Sequence, residues 1–168
     1  MKNTTLCYLT REDRVLLLHR IKKKEDVNAG KWIGIGGHFE EGESPFDCAI
    51  REVFEETGFA LTSLAYRGVV TFVSDVCETE QMHLFTSDGF LGDAVIPLYE
   101  REGDETDTPF CDEGRLAWVK KEDLSTLPMW EGDAVFLRLL SEKEPFFSLK
   151  LVYEGDRLVK KILNGIPL

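Results

Sequence analysis

The stretch from residue 28 to residue 59 constrains the fold more than any other part of the chain. It reads NAGKWIGIGGHFEEGESPFDCAIREVFEETGF. Five glycines lie between Gly30 and Gly42, which predicts the end of a strand and a loop that approaches other backbone closely. Ser44 then provides a good N-cap, and Pro45 suits the first position of a helix. The sequence therefore predicts a tight glycine-rich loop that leads directly into a helix.

The predicted helix has clear boundaries at both ends. Asp47 lies three residues after Ser44 and completes an acidic variant of the capping box, while Gly58 supplies a C-terminal stop. We therefore expect the helix to run from about residue 45 to residue 57. Its apolar residues fall on one side, which should pack against the rest of the protein. These residues are Phe46, Ala49, Ile50, Val53 and Phe54.

The other side of this helix collects negative charge where it is least favourable. Glu52, Glu55 and Glu56 fall within about 100° of one another. Repulsion between Glu52 and Glu56 should destabilise the helix by roughly a few tenths of a kcal/mol, and carboxylates in the last turn oppose the helix dipole by roughly 0.3–1 kcal/mol each. A solvated acidic face is the ordinary explanation for such a pattern. Stability alone does not explain this placement.

More acidic residues lie on the glycine-rich loop just before the helix. They are Glu40, Glu41 and Glu43. Several hard oxygen ligands on rigid neighbouring elements describe a site for Mg²⁺ or Mn²⁺. Arg51 is well placed to orient one of the glutamates through a bidentate contact. We therefore interpret these acids as a divalent metal site rather than as a solvated face.

The remainder of the chain is rich in strand patterns. Short apolar runs on either side of REDR predict a β-hairpin, and FFSLKLVYEGDRLVKKIL predicts another around its EGD turn. Three further segments have the composition of strands, namely LAYRGVVTFVSD, EQMHLFTSDGF and GRLAWV. Helical periodicity is present in GDAVFLRLLSEK. Strands with two helices and no linker predict one α+β domain over residues 1–168 with a mixed sheet.

The charge balance excludes several classes of partner. The 168-residue chain has a formal net charge of −11, which argues against a basic groove for DNA or RNA polymers and against an anionic membrane surface. A small anionic substrate such as a polyphosphate is compatible, since divalent cations can lie between its phosphates and protein carboxylates. No run approaches the roughly 18 apolar residues of a membrane span, and the N-terminus lacks signal-peptide features. We therefore expect a cytoplasmic protein, either a monomer or a homodimer.

The acidic helix and its loop match a known family pattern. The Nudix box is G-x5-E-x7-R-E-u-x-E-E-x-G-u, in which u is an apolar residue. Every defined position is matched here, by Gly37, Glu43, Arg51, Glu52, Val53, Glu55, Glu56, Gly58 and Phe59. The chain therefore resembles the Nudix hydrolases. This resemblance implies the Nudix fold, in which a mixed β-sheet is sandwiched between α-helices.

Nudix hydrolases cleave a nucleoside diphosphate linked to another group, and they use Mg²⁺ or Mn²⁺ held by the box. By position, the resemblance implies that Glu55 and Glu56 are the main metal ligands, joined by the carbonyl of Gly37. Glu52 would bind metal or act as the general base, and Arg51 would orient a glutamate. The structural positions of the box would be Glu43 and Gly58.

Outside the box, two segments resemble MutT-type Nudix enzymes that hydrolyse oxidised purine nucleoside triphosphates, especially the animal form. These segments are AGKWIGIGGHFEEGE and CDEGRLAWVKKEDLSTLPMWEGD. Glu113 would then be a carboxylate from a distant loop that completes the metal and base set, with a solvated loop acid as the alternative. Trp130 would stack on a purine and Asp133 would hydrogen-bond its edge. The alternatives are core packing for Trp130 and an N-cap role for Asp133.

The resemblance is incomplete in the part that binds the base. The animal enzymes have an asparagine where Ile33 stands and an aspartate where Gly132 stands, so two polar contacts are missing here. His38 occupies a position that is lysine there, and we assign it to substrate binding. Arg20 and Lys31 are candidates for phosphate contact, with solvent exposure as the alternative for each.

The activity implied by the resemblance is Mg²⁺-dependent pyrophosphohydrolysis of a purine nucleoside triphosphate, oxidised ones such as 8-oxo-dGTP included, to the monophosphate and pyrophosphate. One alternative is a Nudix hydrolase of ADP-ribose or of a dinucleoside polyphosphate. ADP-sugar hydrolases tend to place a proline shortly beyond the box, whereas residues 60–96 of this chain contain none. The ADP-ribose alternative is therefore disfavoured. A second alternative is a non-catalytic nucleotide-binding Nudix domain, which the intact box disfavours.

Overall fold

The protein is built mainly from strands, and the computed structural model describes residues 1–107 and 111–168. Its strands are β1 (Lys2–Arg11), β2 (Arg14–His19), β3 (Trp32–Ile33), β4 (Ala60–Leu61), β5 (Ala65–Ser74), β6 (Glu80–Ser87), β7 (Phe90–Leu91), β8 (Arg115–Lys120), β9 (Phe147–Glu154), β10 (Arg157–Leu163) and β11 (Ile166–Pro167). Its helices are α1 (Pro45–Thr57) and α2 (Glu131–Ser141), with a 3₁₀ helix at Lys121–Thr126. Within the described ranges, no helix combines the length and the hydropathy that crossing a bilayer requires.

Nine of the described strands form one mixed sheet. Their order is β11–β10–β9–β5–β6–β1–β2–β3, and β8 pairs with β2 outside this path. β1 runs parallel to β6, with Lys2 opposite Glu80 and Leu9 opposite Ser87, and β5 runs parallel to β9. The other strand pairs of this sheet are antiparallel. The mixed sheet predicted from the sequence is therefore confirmed.

The two α-helices pack on opposite faces of this sheet. In β1, Cys7 and Leu9 belong to one buried apolar cluster and Tyr8 belongs to the other, because alternate strand residues point to opposite faces. Val53 of α1 lies in the cluster of Cys7, and Phe136 of α2 lies in the cluster of Tyr8. The sheet is thus sandwiched between helices, as the family resemblance implied.

Both predicted hairpins form. β1 and β2 pair with Arg11 opposite Arg14, and β9 and β10 pair with Glu154 opposite Arg157. The three strand patterns in the middle of the chain are present as β5, β6 and β8. The sequence did not indicate the 3₁₀ helix or the strands β4 and β7. Two-residue strands are too short to show a periodic pattern.

Helix α1 has the boundaries that the sequence predicts. The Asp47 N–H donates to the Ser44 hydroxyl at 3.2 Å, and the Ser44 N–H donates to the Asp47 carboxylate at 2.9 Å, which completes the capping box. Gly58 ends the helix at φ 75°, a left-handed conformation that glycine adopts without steric cost. Its N–H donates to the Phe54 carbonyl at 2.8 Å.

The face of α1 that packs on the sheet differs from the predicted one. The prediction is wrong for Ile50 and Phe54, which remain 49% and 57% exposed. Phe46 is 43% exposed but packs edge to face on Tyr66 and Phe85 of the sheet. The start of the helix docks through Cys48, whose Sγ lies 3.4 Å from the Thr5 hydroxyl on β1. The packed stripe is thus rotated toward the acidic side relative to the prediction, and one glutamate lies in the interior. The buried residues of α1 are Cys48, Ala49, Val53, Glu56 and Thr57.

Candidate active site

The glycine-rich loop lies directly against β1 and against the acidic side of α1. A Cβ at Gly36 would lie 1.8 Å from the Thr5 carbonyl oxygen, and a Cβ at Gly37 would lie 2.5 Å from Glu52 Oε1. The Thr5 N–H donates to the Gly37 carbonyl at 2.9 Å. The close backbone approach predicted for this loop is therefore confirmed, and it seats the Glu52 carboxylate over Gly37.

Arg51 ties the loop to the helix. Its Nε donates to Glu43 Oε1 at 2.6 Å and its Nη2 to Glu43 Oε2 at 2.9 Å, which is a bidentate contact. Its Nη1 donates to Glu52 Oε1 at 2.8 Å and to Glu55 Oε2 at 3.2 Å. The His38 carbonyl accepts from Nη2 at 3.0 Å, so the backbone of His38 also belongs to this network. One guanidinium thus orients several acidic groups, as we predicted for Arg51.

The contact with Arg51 keeps Glu43 ionised. Hydrogen bonds from Arg51, and then from the Glu40 N–H, lower the pKa of the Glu43 carboxyl to about 2. Glu43 therefore carries its charge throughout the neutral range. This fixed charge anchors the guanidinium, which agrees with the structural position that the box gives to Glu43.

Two carboxylates of α1, those of Glu52 and Glu56, lie beside the glycine-rich loop and near Glu113 of the loop before β8. Only 6% of Glu56 is exposed, and burial raises its pKa well above the ordinary value, with further increases from the charges of Glu52 and Glu113. Burial also raises the pKa of Glu52, against the opposing effect of Arg51. Glu113, from the loop before β8, therefore lies close enough to both helix glutamates to act on their titration.

Basic residues that follow β2 contact Glu113. Arg20 Nη1 donates to Glu113 Oε2 at 2.6 Å, and Lys23 Nζ lies 3.6 Å from Glu113 Oε1. Arg20 Nε also donates to Asp26 Oδ2 at 2.6 Å. The alternative of solvent exposure is therefore wrong for Arg20, whose side chain is largely buried, whereas Glu113 is ion-paired and 32% exposed. Sequence reasoning missed Lys23, which the folded loop brings to Glu113, and Asp26, which it brings to Arg20.

The donor chemistry of this cluster fits a divalent cation. Glu52, Glu56 and Glu113 offer hard oxygen donors, and a dication would relieve their burial and mutual repulsion. Within residues 1–107 and 111–168, no three acidic, histidine or cysteine side chains already stand in a metal-ligating arrangement. The guanidinium groups of Arg51 and Arg20 instead hold one oxygen each of Glu52 and Glu113. A cation bound at those two oxygens would replace the guanidinium groups as their partner.

The carbonyl of Gly37, a predicted metal ligand, is oriented toward β1 and the first turn of α1. It accepts a hydrogen bond from the Thr5 N–H at 2.9 Å and another from Cys48 Sγ at 3.6 Å. Both donors lie on the side of β1 and the first turn of α1. The predicted role of Gly37 in metal binding thus has no geometric support beyond its closeness to Glu52.

Trp130 lies in an aromatic corner at the start of α2. Its Nε1 donates to Asn28 Oδ1 at 2.8 Å. The ring meets Phe72 and Tyr153 edge to face, with centroids 5.9 and 5.3 Å away. Lys31 Nζ lies 4.2 Å from the centroid in a cation–π contact, so Lys31 is not simply solvated. Packing is established for Trp130, and stacking on a base stays a prediction.

Asp133 is not the N-cap of α2, and this alternative is wrong. Trp130 occupies the N-cap, and Asp133 lies in the first turn, where the backbone N–H of Trp130 donates to its carboxyl. Burial raises the pKa of Asp133 to about 7, although that hydrogen bond and the charge of Lys31 act in the opposite direction. Near neutral pH the Asp133 carboxyl therefore exists in both protonation states.

The fold explains why no larger side chain stands at position 132. A Cβ at Gly132 would lie 2.4 Å from Leu151 Cδ1 and 2.7 Å from the Tyr153 hydroxyl. The Gly132 N–H donates to that hydroxyl at 2.7 Å. Tyr153 thus takes the space that an aspartate would need. Sequence reasoning did not single out Tyr153, because its strand shows only ordinary alternation.

Replacing Asp133 by asparagine should flatten the pH dependence of stability. Because the pKa of Asp133 rises from 3.8 unfolded to about 7 folded, its protonation stabilises the protein fully below about pH 4, and this contribution is lost as pH rises through 7. We expect the unfolding free energy of the parent protein to fall, relative to Asp133→Asn, by up to about 4 kcal/mol between pH 4 and pH 8. Urea denaturation at several pH values measures this difference. Parallel curves for the two proteins would show that Asp133 titrates normally.

A search for relatives places this site in a known family. The NUDIX domain model matches residues 2–140, which include the glycine-rich loop, α1 and Glu113. The chain belongs to the Nudix family. It is 31% identical to the uncharacterized Nudix hydrolase YvcI of Bacillus subtilis over 141 residues, which cover 82% of this chain and 77% of that protein. It is also 31% identical to the oxidized purine nucleoside triphosphate hydrolase of Danio rerio, over 98% of this chain and 96% of the relative.

Solved structures of Nudix proteins share the fold. A MutT protein from Bacillus halodurans superposes with a TM-score of 0.79 at 24% identity, over 98% of each chain. This likeness confirms the α+β Nudix fold. The family match and the relatives named as hydrolases show that the chain is a Nudix hydrolase, as the complete box predicted.

Proposed function

We propose that this Nudix hydrolase is a Mg²⁺-dependent nucleoside triphosphate pyrophosphohydrolase that acts on purine nucleotides, including oxidised ones such as 8-oxo-dGTP. The observation that carries the proposal is the position of Glu52 and Glu56 beside the glycine-rich loop and near Glu113. The name of the Danio rerio relative supports the substrate class. The proposal includes one domain over residues 1–168, a cytoplasmic location, and a small nucleotide as partner rather than a nucleic acid polymer or a membrane.

The acidic residues would hold Mg²⁺ or Mn²⁺ against the phosphates of the nucleotide. The ligand set would be Glu52, Glu55, Glu56 and Glu113. When bound, the cation neutralises phosphate charge and lowers the pKa of an attacking water. Arg51 keeps the carboxylates of Glu52 and Glu55 oriented. Glu52, if it is not a ligand, would accept the proton of that water, since burial raises its pKa and makes it a stronger base. Attack at phosphorus then breaks the anhydride bond, and pyrophosphate leaves as the monophosphate forms.

The base would lie beside Trp130 and Asp133. Because its pKa is about 7, the Asp133 carboxyl can donate or accept a hydrogen bond at neutral pH. One carboxyl can therefore meet either a carbonyl or an N–H on a purine edge. Ile33 and Gly132 offer no polar side chain nearby. We therefore assign to Asp133 most of the side-chain discrimination between bases.

A substrate panel tests the proposed function. Purine and pyrimidine triphosphates, 8-oxo-dGTP, ADP-ribose and a dinucleoside polyphosphate are incubated with Mg²⁺, with EDTA as the metal-free control, and the products are separated by chromatography. We expect kcat/KM for purine triphosphates to exceed that for pyrimidine triphosphates by roughly tenfold or more, with monophosphate and pyrophosphate as products. Preferred cleavage of ADP-ribose or of the dinucleoside polyphosphate would replace the proposal with the first alternative. No turnover of any compound would favour a non-catalytic nucleotide-binding domain.

A further inference from the structure

A large cavity lies on the face of the sheet covered by α2, apart from the acidic cluster. Its volume is about 880 Å³, and it opens between α2, the 3₁₀ helix and the strands β1, β5 and β6. The cavity is open to solvent, since Lys121, Arg138 and Lys143 of its lining are exposed. Its volume falls in the range of small-molecule sites, roughly 300–1,000 Å³. Among the residues assigned to the proposed active site, only Trp130 is part of its described lining.

The wall of this cavity is mainly apolar. Tyr8 and Val15 form part of its base on the sheet, and both are buried. Leu124 and Leu127 contribute from the 3₁₀ helix and the residue after it, and Leu137 contributes from α2. Such a surface favours an occupant with an apolar body, because filling it removes apolar area from water on both sides.

Basic side chains line the same cavity. They are Arg67, Lys121, Arg138 and Lys143. Within the described residues none of the four forms an ion pair, whereas many other arginines have carboxylate partners. Two acidic residues, Asp88 and Glu131, also line the cavity, and they accept hydrogen bonds from the Ser63 hydroxyl and the Leu158 N–H. The lining therefore has an excess of positive charge in a chain whose net charge is −11.

Arg67 is the best ordered of these cations by its contacts. Its Nη1 donates to the Thr86 hydroxyl at 3.1 Å and its Nη2 to the Leu140 carbonyl at 3.2 Å. These contacts fix the guanidinium between the sheet and the end of α2. A preorganised cation loses little conformational freedom when an anion binds, which increases the affinity of the site.

We propose that this cavity binds a small molecule with an apolar body and an anionic end group. The body lies on the apolar wall, and the anionic group meets Arg67 and Arg138. None of the carboxylates of the Nudix box lines this cavity, and Trp130 is the residue of the proposed nucleotide site that borders it.

Calorimetric titration of the full chain with three ten-carbon probes tests this proposal. Decanoate carries an apolar chain and an anionic end, decanol has the same chain without charge, and decyltrimethylammonium has a cationic end. Decanoate and decyltrimethylammonium are used below their critical micelle concentrations, and decanol is used below its solubility limit. We expect decanoate to bind at least tenfold more tightly than decanol and the cationic probe to bind more weakly still. Equal affinity for the three probes, or no binding of decanoate, would overturn the proposal.

Matched variants locate the binding. Arg67→Gln with Arg138→Gln should weaken decanoate binding at least tenfold, and Ala134→Trp, which fills the cavity from α2, should abolish it. The control removes two exposed cations elsewhere, Lys150→Gln with Lys160→Gln, and should leave the affinity unchanged. Amide chemical-shift mapping on the unmodified protein gives an independent readout if a variant fails to fold. The proposed location would be contradicted by chemical-shift changes confined to residues outside the cavity lining, or by an equal loss of decanoate affinity in the control.

Discussion

Glu56→Gln is expected to remove almost all turnover while making the metal-free protein more stable. The loss of one carboxylate from the proposed metal site should lower kcat/KM on the order of 10³-fold, equivalent to about 4 kcal/mol of transition-state stabilisation. Mutation of a residue that serves only as a metal ligand would lower activity without lowering stability. Mutation of a residue that the fold needs would lower both. A gain in stability with a loss of activity separates these two roles.

The stability gain follows from the surroundings of Glu56. The carboxyl is buried, and the charges of Glu52 and Glu113 oppose its ionisation more than Arg20 favours it. At pH 8 and without metal, the neutral amide should therefore raise the unfolding free energy, because it removes a buried charge whose ionisation the surroundings oppose. Glutamine also keeps an oxygen that can accept from the Gly36 N–H, as the carboxyl does now.

The measurement combines kinetics at saturating Mg²⁺ with urea denaturation in EDTA. Glu41→Gln is the matched control, because Glu41 is an exposed acid of the loop before the same helix. This control should change neither kcat/KM nor the unfolding free energy appreciably. Comparable turnover in Glu56→Gln and the parent protein would remove Glu56 from the metal site. A loss of stability would show that its charge is compensated in the metal-free state.

The sequence predicted those features that depend on neighbouring residues. Ser44 and Asp47 form the capping box and Gly58 ends α1, because helix ends are set by local hydrogen bonds and backbone conformation. Hairpins joined by short turns are local for the same reason. The Nudix box was fully visible because its residues lie within one loop and one helix.

The remaining features depend on contacts between distant parts of the chain. The Arg20–Glu113 ion pair joins residues 93 positions apart, and the hydrogen bond from Trp130 to Asn28 joins residues 102 positions apart. No local pattern encodes such pairs. Helical periodicity indicated that α1 has an apolar side but could not fix its rotation on the sheet. Contacts with the sheet decide that rotation, and in the structure Glu56 is buried while Phe54 is exposed.

Arg51→Lys is expected to lower kcat by 10- to 100-fold although the positive charge is retained. The guanidinium presents a planar fork that reaches both oxygens of Glu43 and, through Nη1, Glu52 and Glu55. An ammonium is a point charge with three donors on a flexible stem, so it cannot reproduce this pattern. The carboxylates should then lose their common orientation, and affinity for Mn²⁺ should fall together with kcat.

Two measurements distinguish a role of Arg51 in orienting the metal-binding carboxylates from a role in protein stability alone. Mn²⁺ affinity is measured by electron paramagnetic resonance on the free enzyme, and kcat is measured at saturating Mg²⁺. Arg101→Lys is the control, because Arg101 is 87% exposed and lies 3.7 Å from a single carboxylate, that of Asp104. If Arg51→Lys lost stability but kept parental Mn²⁺ affinity and kcat, the network would serve only to join the loop to α1. A joint loss of Mn²⁺ affinity and kcat in Arg51→Lys alone would mean that the metal site depends on the shape of the guanidinium as well as on its charge.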